Sequence, residues 1–200
     1  MAIEIERRYL VRDPQAAIAN STIANQFQIR QGYLGWINGL RFRVRIIGGG
    51  CGQRSAVLTL KGRRQGICRE EYEYPLALDR AEQILAALPP TRIIRKTRYQ
   101  LRYRDGLVWS IDRFEGLNQG LVIAEVELAD PEQRIELPPW VGEEITLNPR
   151  YGNSTLARLP IRDRRVAVAG SDHLWPGGDG WRVIPIQSSP RSAADDGGAG

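Results

Sequence analysis

Charged residues recur at every second position of this chain, and apolar residues fill the gaps. Near the start, Glu4, Glu6 and Arg8 alternate with Ile3 and Ile5. Arg41, Arg43 and Arg45 alternate with Phe42, Val44 and Ile46, and Thr59 and Lys61 with Leu58 and Leu60. Arg69, Glu71 and Glu73 alternate with Tyr72 and Tyr74; Lys96 and Arg98 share a face that extends through Gln100 to Arg102 and Arg104. Ser110 and Asp112 alternate with Trp109 and Ile111, and Glu125 and Glu127 with Ala124, Val126 and Leu128. Carboxylates drawn from both ends of the chain suit a hard divalent cation such as Mg²⁺, which prefers oxygen ligands and substrate phosphates. Arginines and lysines suit the oxygens of a polyphosphate chain. The single histidine, His173, stands in the C-terminal stretch, and neither Cys51 nor Cys68 has a partner pattern for nucleophilic catalysis, a disulfide framework or a zinc site. The chemistry within reach is metal-assisted attack by water or a hydroxyl.

A period of two belongs to β-strands, whose successive side chains point to opposite faces. Strands are expected near the start and at 26–36, 40–47, 55–62, 66–76, 91–104, 107–116 and 120–130, with hairpin turns at Asn38-Gly39, 62–66 and Asp105-Gly106. Residues 12–21 read as a turn and short helix. Residues 79–88 are the best helix, with Asp79 as its cap, an apolar stripe of Ile84, Leu85 and Leu88, and a stop at Pro89-Pro90. Residues 153–159 read as a short closing helix. No internal repeat and no βαβ rhythm is present. The expected class is mainly β (α+β): an eight-stranded antiparallel β-barrel or tunnel with a polar interior and a few helices packed outside. An open antiparallel sheet with one packed and one wet face is the alternative. Against it, nearly every polar position is Arg or Glu, and like charges are grouped by strand. Folded inward, these faces make a tunnel of both signs that calls for a highly charged guest. The apolar sides then face outward against helices at 12–25, 79–88 and 153–159.

Two hundred residues with 42% hydrophobic content fit one domain with an appendage. The formal net charge is +5, and among 28 basic residues only Lys61 and Lys96 are lysine. That bias reflects either an anionic partner or the composition of the source genome. No signal peptide and no apolar run long enough to span a bilayer is visible, so a cytoplasmic location is expected. Residues 1–161 form the expected domain. Residues 162–200, rich in Gly, Ser, Pro and Asp, read as a poorly ordered tail, in which Trp175 and Trp181 stand out.

Glu4-x-Glu6-x-Arg8 resembles the ExExK signature of the CYTH superfamily, the triphosphate tunnel metalloenzymes. The likeness continues in order through IRQGYL (29–34), RVR (43–45), LTLKG (58–62), REEYEY (69–74), KTRY (96–99), WSIDRFEG (109–116), GLVIAEVEL (120–128), PPWVGEEIT (138–146) and RYGNSTLA (150–157). It covers roughly residues 2–160, and nine ordered segments are far more specific than the ExExK string alone. It implies an eight-stranded antiparallel tunnel that acts on triphosphates with Mg²⁺ or Mn²⁺. It implies Glu4, Glu6 and Glu127 as metal ligands, with Glu125, Asp112 and Glu73 as secondary candidates. Arg43, Arg45, Lys61, Lys96 and Arg98 are implied phosphate ligands, with Arg41/Arg43 as the alternative register to Arg43/Arg45. Arg150, beside the segment that plugs one tunnel end in relatives, is a further phosphate contact. Glu4, Glu6, Arg8 and Lys61 make up the implied catalytic set. One departure is Arg8, where the family carries lysine: arginine keeps the charge but does not readily lose a proton. The loop preceding the strand at 55–62 is also longer than usual.

The expected activity is divalent-metal-dependent hydrolysis of inorganic tripolyphosphate to pyrophosphate and phosphate. An adenylate cyclase, a thiamine or nucleoside triphosphatase, and a non-catalytic polyphosphate-binding module are the alternatives. The expected partner is a small anionic triphosphate, with no membrane and no nucleic acid, and the expected state a monomer or homodimer. Base-stacking aromatics are sparse in the charged strands, which argues against RNA.

Overall fold

Asn38 and Gly39 both take positive φ, 50° and 82°, and form the two-residue turn that reverses the chain between Ile37 and Leu40. It joins two of the strands of a closed antiparallel ring. The structure, a computed structural model, describes residues 2–163 except 20, 21 and 51. The strands are β1 (Ala2–Val11), β2 (Thr22–Ile37), β3 (Leu40–Gly49), β4 (Arg54–Gln65), β5 (Cys68–Leu76), β6 (Ile93–Arg102), β7 (Val108–Phe114), β8 (Val122–Glu127) and β9 (Val141–Glu144). Around the ring the order is β5-β4-β3-β2-β6-β7-β8-β1, and β1 closes it by pairing with β5. This is the expected eight-stranded barrel. β9 was not foreseen; it pairs with β1 around Tyr9 and Val11, beyond the stretch of β1 that β5 covers.

Three α-helices lie among the described residues: α1 (Pro14–Ala19), α2 (Leu78–Ala87) and α3 (Asn153–Arg158). α1 is shorter than the expected 12–25, because the chain is already strand from Thr22. Asp79 does not cap α2; the cap position is Ala77, which makes no side-chain cap hydrogen bond, and Asp79 stands in the first turn. There its carboxylate still faces the positive end of the helix dipole.

Two apolar layers cover the outside of the barrel. Ala81 and Leu85 of α2 pack on Val44, Ile46 and Ala56 of β3 and β4. Ala17 of α1 and Trp140 join Tyr9, Trp109, Ile111 and Val126 in the larger layer. The ring planes of Trp109 and Trp140 meet edge to face at 83° with centroids 5.5 Å apart.

α3 departs from expectation. Its Leu156 and Ala157 pack with Leu10, Ile94, Phe114 and Ile123. Those four residues share a strand face with Arg8, Lys96, Asp112 and Glu125 respectively, so this third cluster is inside the ring. Each of these strands therefore switches along one face from charged to apolar. The apolar ends lie together, and α3 closes that end of the barrel. Residues 162–200, the expected tail, lie outside the described residues apart from a single 3-10 turn, Ile161–Asp163.

Candidate active site

The charged faces enclose a cavity of about 790 Å³, whose charged groups come from β1, β3, β4, β5, β6 and β8; Val108 and Ser110 of β7, Gly152, and Asn153 and Ser154 at the start of α3 complete the lining with others. Of the residues singled out from sequence, Glu4, Glu6, Arg8, Lys61, Glu73, Glu125 and Glu127 line it. Arg41, Arg43, Arg45, Lys96 and Arg98 line it as well, so the two registers considered for β3 merge. The three arginines share one face because they alternate along β3, whose register with β4 is unbroken; opposite Arg43 and Phe42, the neighbouring β2 carries an extra residue between Tyr33 and Gly35.

Two predicted residues stand elsewhere. Asp112 is fully buried behind the lining, held by Lys96 and by two Arg98 hydrogen bonds of 2.7 Å, so its oxygens are already committed to cations. Arg150 is exposed in a single 3-10 turn, Pro149–Tyr151, and is not part of the lining. Its neighbour Tyr151 is the one that touches the site, through its carbonyl oxygen, which accepts from Arg8 Nη2 at 2.9 Å.

The cation on β6 and the acids facing it form one buried network. Arg98 bonds both Asp112 and Glu125, and Arg8 Nε donates to Glu125 at 3.1 Å. Burial alone would raise the Glu125 carboxyl, but Arg98, Lys96 and Arg8 override it and hold the group well below the ordinary carboxylate range. Lys96 is fully buried, with its ammonium 5.6 Å from the Phe114 ring centre. Burial, opposed mainly by Asp112, pushes it down to about 8. Arg45 is the contrasting case. It has no ion pair among the described residues, only a 3.3 Å hydrogen bond to Gln31. Burial first, then repulsion from Arg43 and Arg98, lowers it to about 10. A desolvated guanidinium without a carboxylate is a ready anion ligand.

On β1 the acids are paired differently. Lys61 Nζ lies 2.7 Å from both Glu4 and Glu71, and Arg64 bonds Glu6. Arg43 reaches Thr59 at 3.0 Å, Glu71 at 3.3 Å and Glu73 at 3.4 Å. Glu127 stands directly opposite Glu6 across the β1–β8 ladder and makes no hydrogen bond or ion pair among the described residues. Like charges opposite one another on a sheet are destabilising. Burial, followed by repulsion from Glu4 and Glu6, raises the Glu127 carboxyl above its ordinary value.

Does this set fit a metal ion? Its donors are all carboxylate oxygens, the chemistry of a hard divalent cation, and Glu127 faces Glu6 with no ion pair of its own among the described residues. As the side chains stand, no group of three or more His, Cys, Asp and Glu among the described residues is gathered into a coordination sphere. Glu4 and Glu6 are instead held by Lys61 and Arg64. The donor types fit, provided those two acids exchange their cations for the ion.

Sequence reasoning missed Arg64 and did not assign Glu71, Thr59 or Arg69 to the site. Arg64 is hidden by a bulge: Lys61 pairs with Glu71 but Arg64 with Arg69, so two residues of β4, Gly62 and Arg63, oppose the single Glu70. Strict alternation from Lys61 would have turned Arg63 inward. The glycine inside a strand run was the available signal.

Residues 2–159 match the CYTH domain. The chain belongs to the CYTH family. It is 37% identical over 163 residues to an inorganic triphosphatase of Acetivibrio thermocellus, covering 82% of this chain and 98% of that protein. It is 34% identical over 157 residues to an inorganic triphosphatase of Nitrosomonas europaea, covering 77% and 96%. A crystal structure of an inorganic triphosphatase superposes with a TM-score of 0.55 at 31% identity, covering 79% of this chain and 96% of that one. The CYTH barrel thus accounts for the described strands. None of the described helices is long and apolar enough to cross a membrane.

Proposed function

We propose that this CYTH protein hydrolyses inorganic tripolyphosphate to pyrophosphate and phosphate with the help of Mg²⁺ or Mn²⁺. The observation that carries the reading is the segregation of charge inside one cavity. Glu127 faces Glu6 without a cation, while Arg45 is desolvated without a carboxylate. A divalent cation and a phosphate chain would together offset both. The two curated relatives, named inorganic triphosphatases, support the same substrate class.

Glu4, Glu6 and Glu127 would hold the ion, with Glu73 and Glu125 nearby in the lining. When bound, it would supply charge on the phosphoryl oxygens and acidify coordinated water. The rest is work for the chain's own side chains. Arg43, Arg45, Lys96 and Arg98 present donors to the phosphate oxygens and offset charge as it develops on them. Lys61 is held between Glu4 and Glu71 in this structure. It can turn to the phosphates once those carboxylates take other partners. Arg8, itself in the lining, braces the site through Glu125 and the Tyr151 carbonyl. Its guanidinium remains protonated throughout, so it orients and offsets charge and does not shuttle protons.

Orthophosphate release from tripolyphosphate, ATP and thiamine triphosphate, each with Mg²⁺ and with Mn²⁺, tests the reading. Metal-dependent release from tripolyphosphate, fastest of the three, is expected. A protein that binds these compounds but releases no phosphate is a binding module, and the proposal fails. Glu4→Ala should lower turnover by about a hundredfold or more, in the range seen when one charge-stabilising group is removed.

A further inference from the structure

Arg64 and Arg69 face one another across the β4–β5 ladder. Both line the cavity. Arg64 Nη1 and Arg69 Nε are buried and have no hydrogen-bond partner among the described residues. Arg64 has one acid, Glu6, and Arg69 makes no ion pair at all among those residues. Two guanidiniums set opposite each other repel. Burial, then the neighbouring Arg64, lowers Arg69 from its ordinary value. The fold holds here a second pair of under-partnered cations that the mechanism above does not use.

Their place in the ring gives them a meaning. β5 and β6 are four strands apart in a ring of eight, so they form opposite walls. Arg69 on β5 therefore lies across the barrel from Lys96 and Arg98 on β6. Glu4, Glu6 and Glu127 occupy the wall between them, on β1 and β8. Going round the ring through β1 and β8, the cavity has a cationic pole on each side of this acidic strip, while Arg41, Arg43 and Arg45 of β3 line the opposite side.

We infer that Arg64 and Arg69 bind the second, unesterified end of a linear phosphate chain, and that this pair sets a preference for inorganic triphosphate over triphosphates esterified at one end. The inference rests on the triphosphatase reading for the choice of ligand. Inorganic tripolyphosphate carries a terminal phosphate at each end and engages both poles. A nucleoside triphosphate carries one such terminus; the phosphate at its ester end keeps two non-bridging oxygens but carries less charge than a free terminus, and the attached nucleoside crowds the approach of a second guanidinium.

Calorimetric titration of the full chain with tripolyphosphate and with ATP, under identical salt, tests this. Arg69→Gln is the cleaner variant because it strands no carboxylate; Arg64→Gln would leave Glu6 unpaired. Loss of one bidentate contact should weaken tripolyphosphate binding by about tenfold and ATP binding by less than about twofold. Arg69→Lys, which keeps the charge without the fork, should fall between, and melting curves establish that each variant is folded. Equal weakening toward both ligands would mean a general field effect and would overturn the subsite, as would no weakening. Binding of neither ligand by the unaltered protein would overturn it too. Phosphate release run on the same samples separates the two ideas. Unaltered protein that binds without hydrolysis, with Arg69→Gln weakened toward tripolyphosphate far more than toward ATP, overturns the activity and upholds the subsite; hydrolysis with variants weakened equally toward both ligands does the reverse.

Discussion

Arg8 uses its guanidinium to tie three parts of the chain together: β1 that carries it, Glu125 on β8, and the Tyr151 carbonyl beside α3. Its backbone N–H adds a bond to Thr146 Oγ1 at 3.0 Å. A lysine at this position keeps the charge but has one nitrogen to serve both acceptors. Arg8→Lys should therefore cost about 1–3 kcal/mol of folding stability, the worth of a hydrogen bond to a charged group, with KM for tripolyphosphate little changed. Denaturant unfolding beside steady-state kinetics would show it, and a large KM increase at unchanged stability would refute this positional role. Lys96 makes a separate prediction. Because burial lowers it to about 8, its charge is lost from the free protein as pH rises through that value. kcat/KM for tripolyphosphate should fall on the alkaline side near there, and the kcat profile should be displaced upward, since bound phosphate favours the ammonium. On the acid side, Glu127 is raised by burial and by Glu4 and Glu6, so the acid limb should begin above the ordinary carboxylate range. Metal-titration curves at stepped pH would locate it.

The strands were legible in the sequence because their alternation is strict, and strict alternation fixes which residues face inward without any knowledge of their neighbours. Glu4, Glu6, Arg43, Lys96 and Glu127 were found that way. What the period could not carry were its interruptions. The bulge at Gly62 and Arg63 turns Arg64 inward in place of Arg63. β9 is only four residues and leans on β1, so it has too little pattern of its own. α3 reads as a helix, but its destination depends on apolar residues at one end of several strand faces at once, among them Leu10, Ile94 and Ile123. No local window shows that coincidence. Two substitutions probe these elements. Leu156→Ala empties the centre of the plug and should cost about 2–5 kcal/mol, visible as a lower denaturation midpoint. Gly142→Ala would bring a methyl carbon to 3.0 Å from the Leu10 carbonyl oxygen, which is backbone and cannot swing aside. It should destabilise the β1–β9 contact, with faster hydrogen exchange at Val141 and Tyr9 as the sign.

Across the molecule, the barrel inverts the usual distribution of polarity: its apolar layers lie outside under α1, α2 and Trp140, and charges fill the middle. Such an interior is stable only while its signs balance. Glu125 is held far below its ordinary value by Arg98, Lys96 and Arg8 against the opposing effect of burial. A lowered carboxyl contributes stability that is present above its unfolded pKa of about 4.3 and is lost as pH falls through the folded value. Thermal midpoints should therefore drop on acidification through and below that range. Tripolyphosphate with a divalent cation should raise the midpoint at neutral pH, because it binds only the folded barrel. The composition adds one practical result. In a chain with 28 basic residues, the only two lysines are Lys61 and Lys96, and both line the cavity. Apart from the α-amino group, every primary amine of the protein is thus in the candidate site. Acylating reagents become a site-directed label without any engineering: a mass increment on either peptide, suppressed by tripolyphosphate, would report occupancy directly.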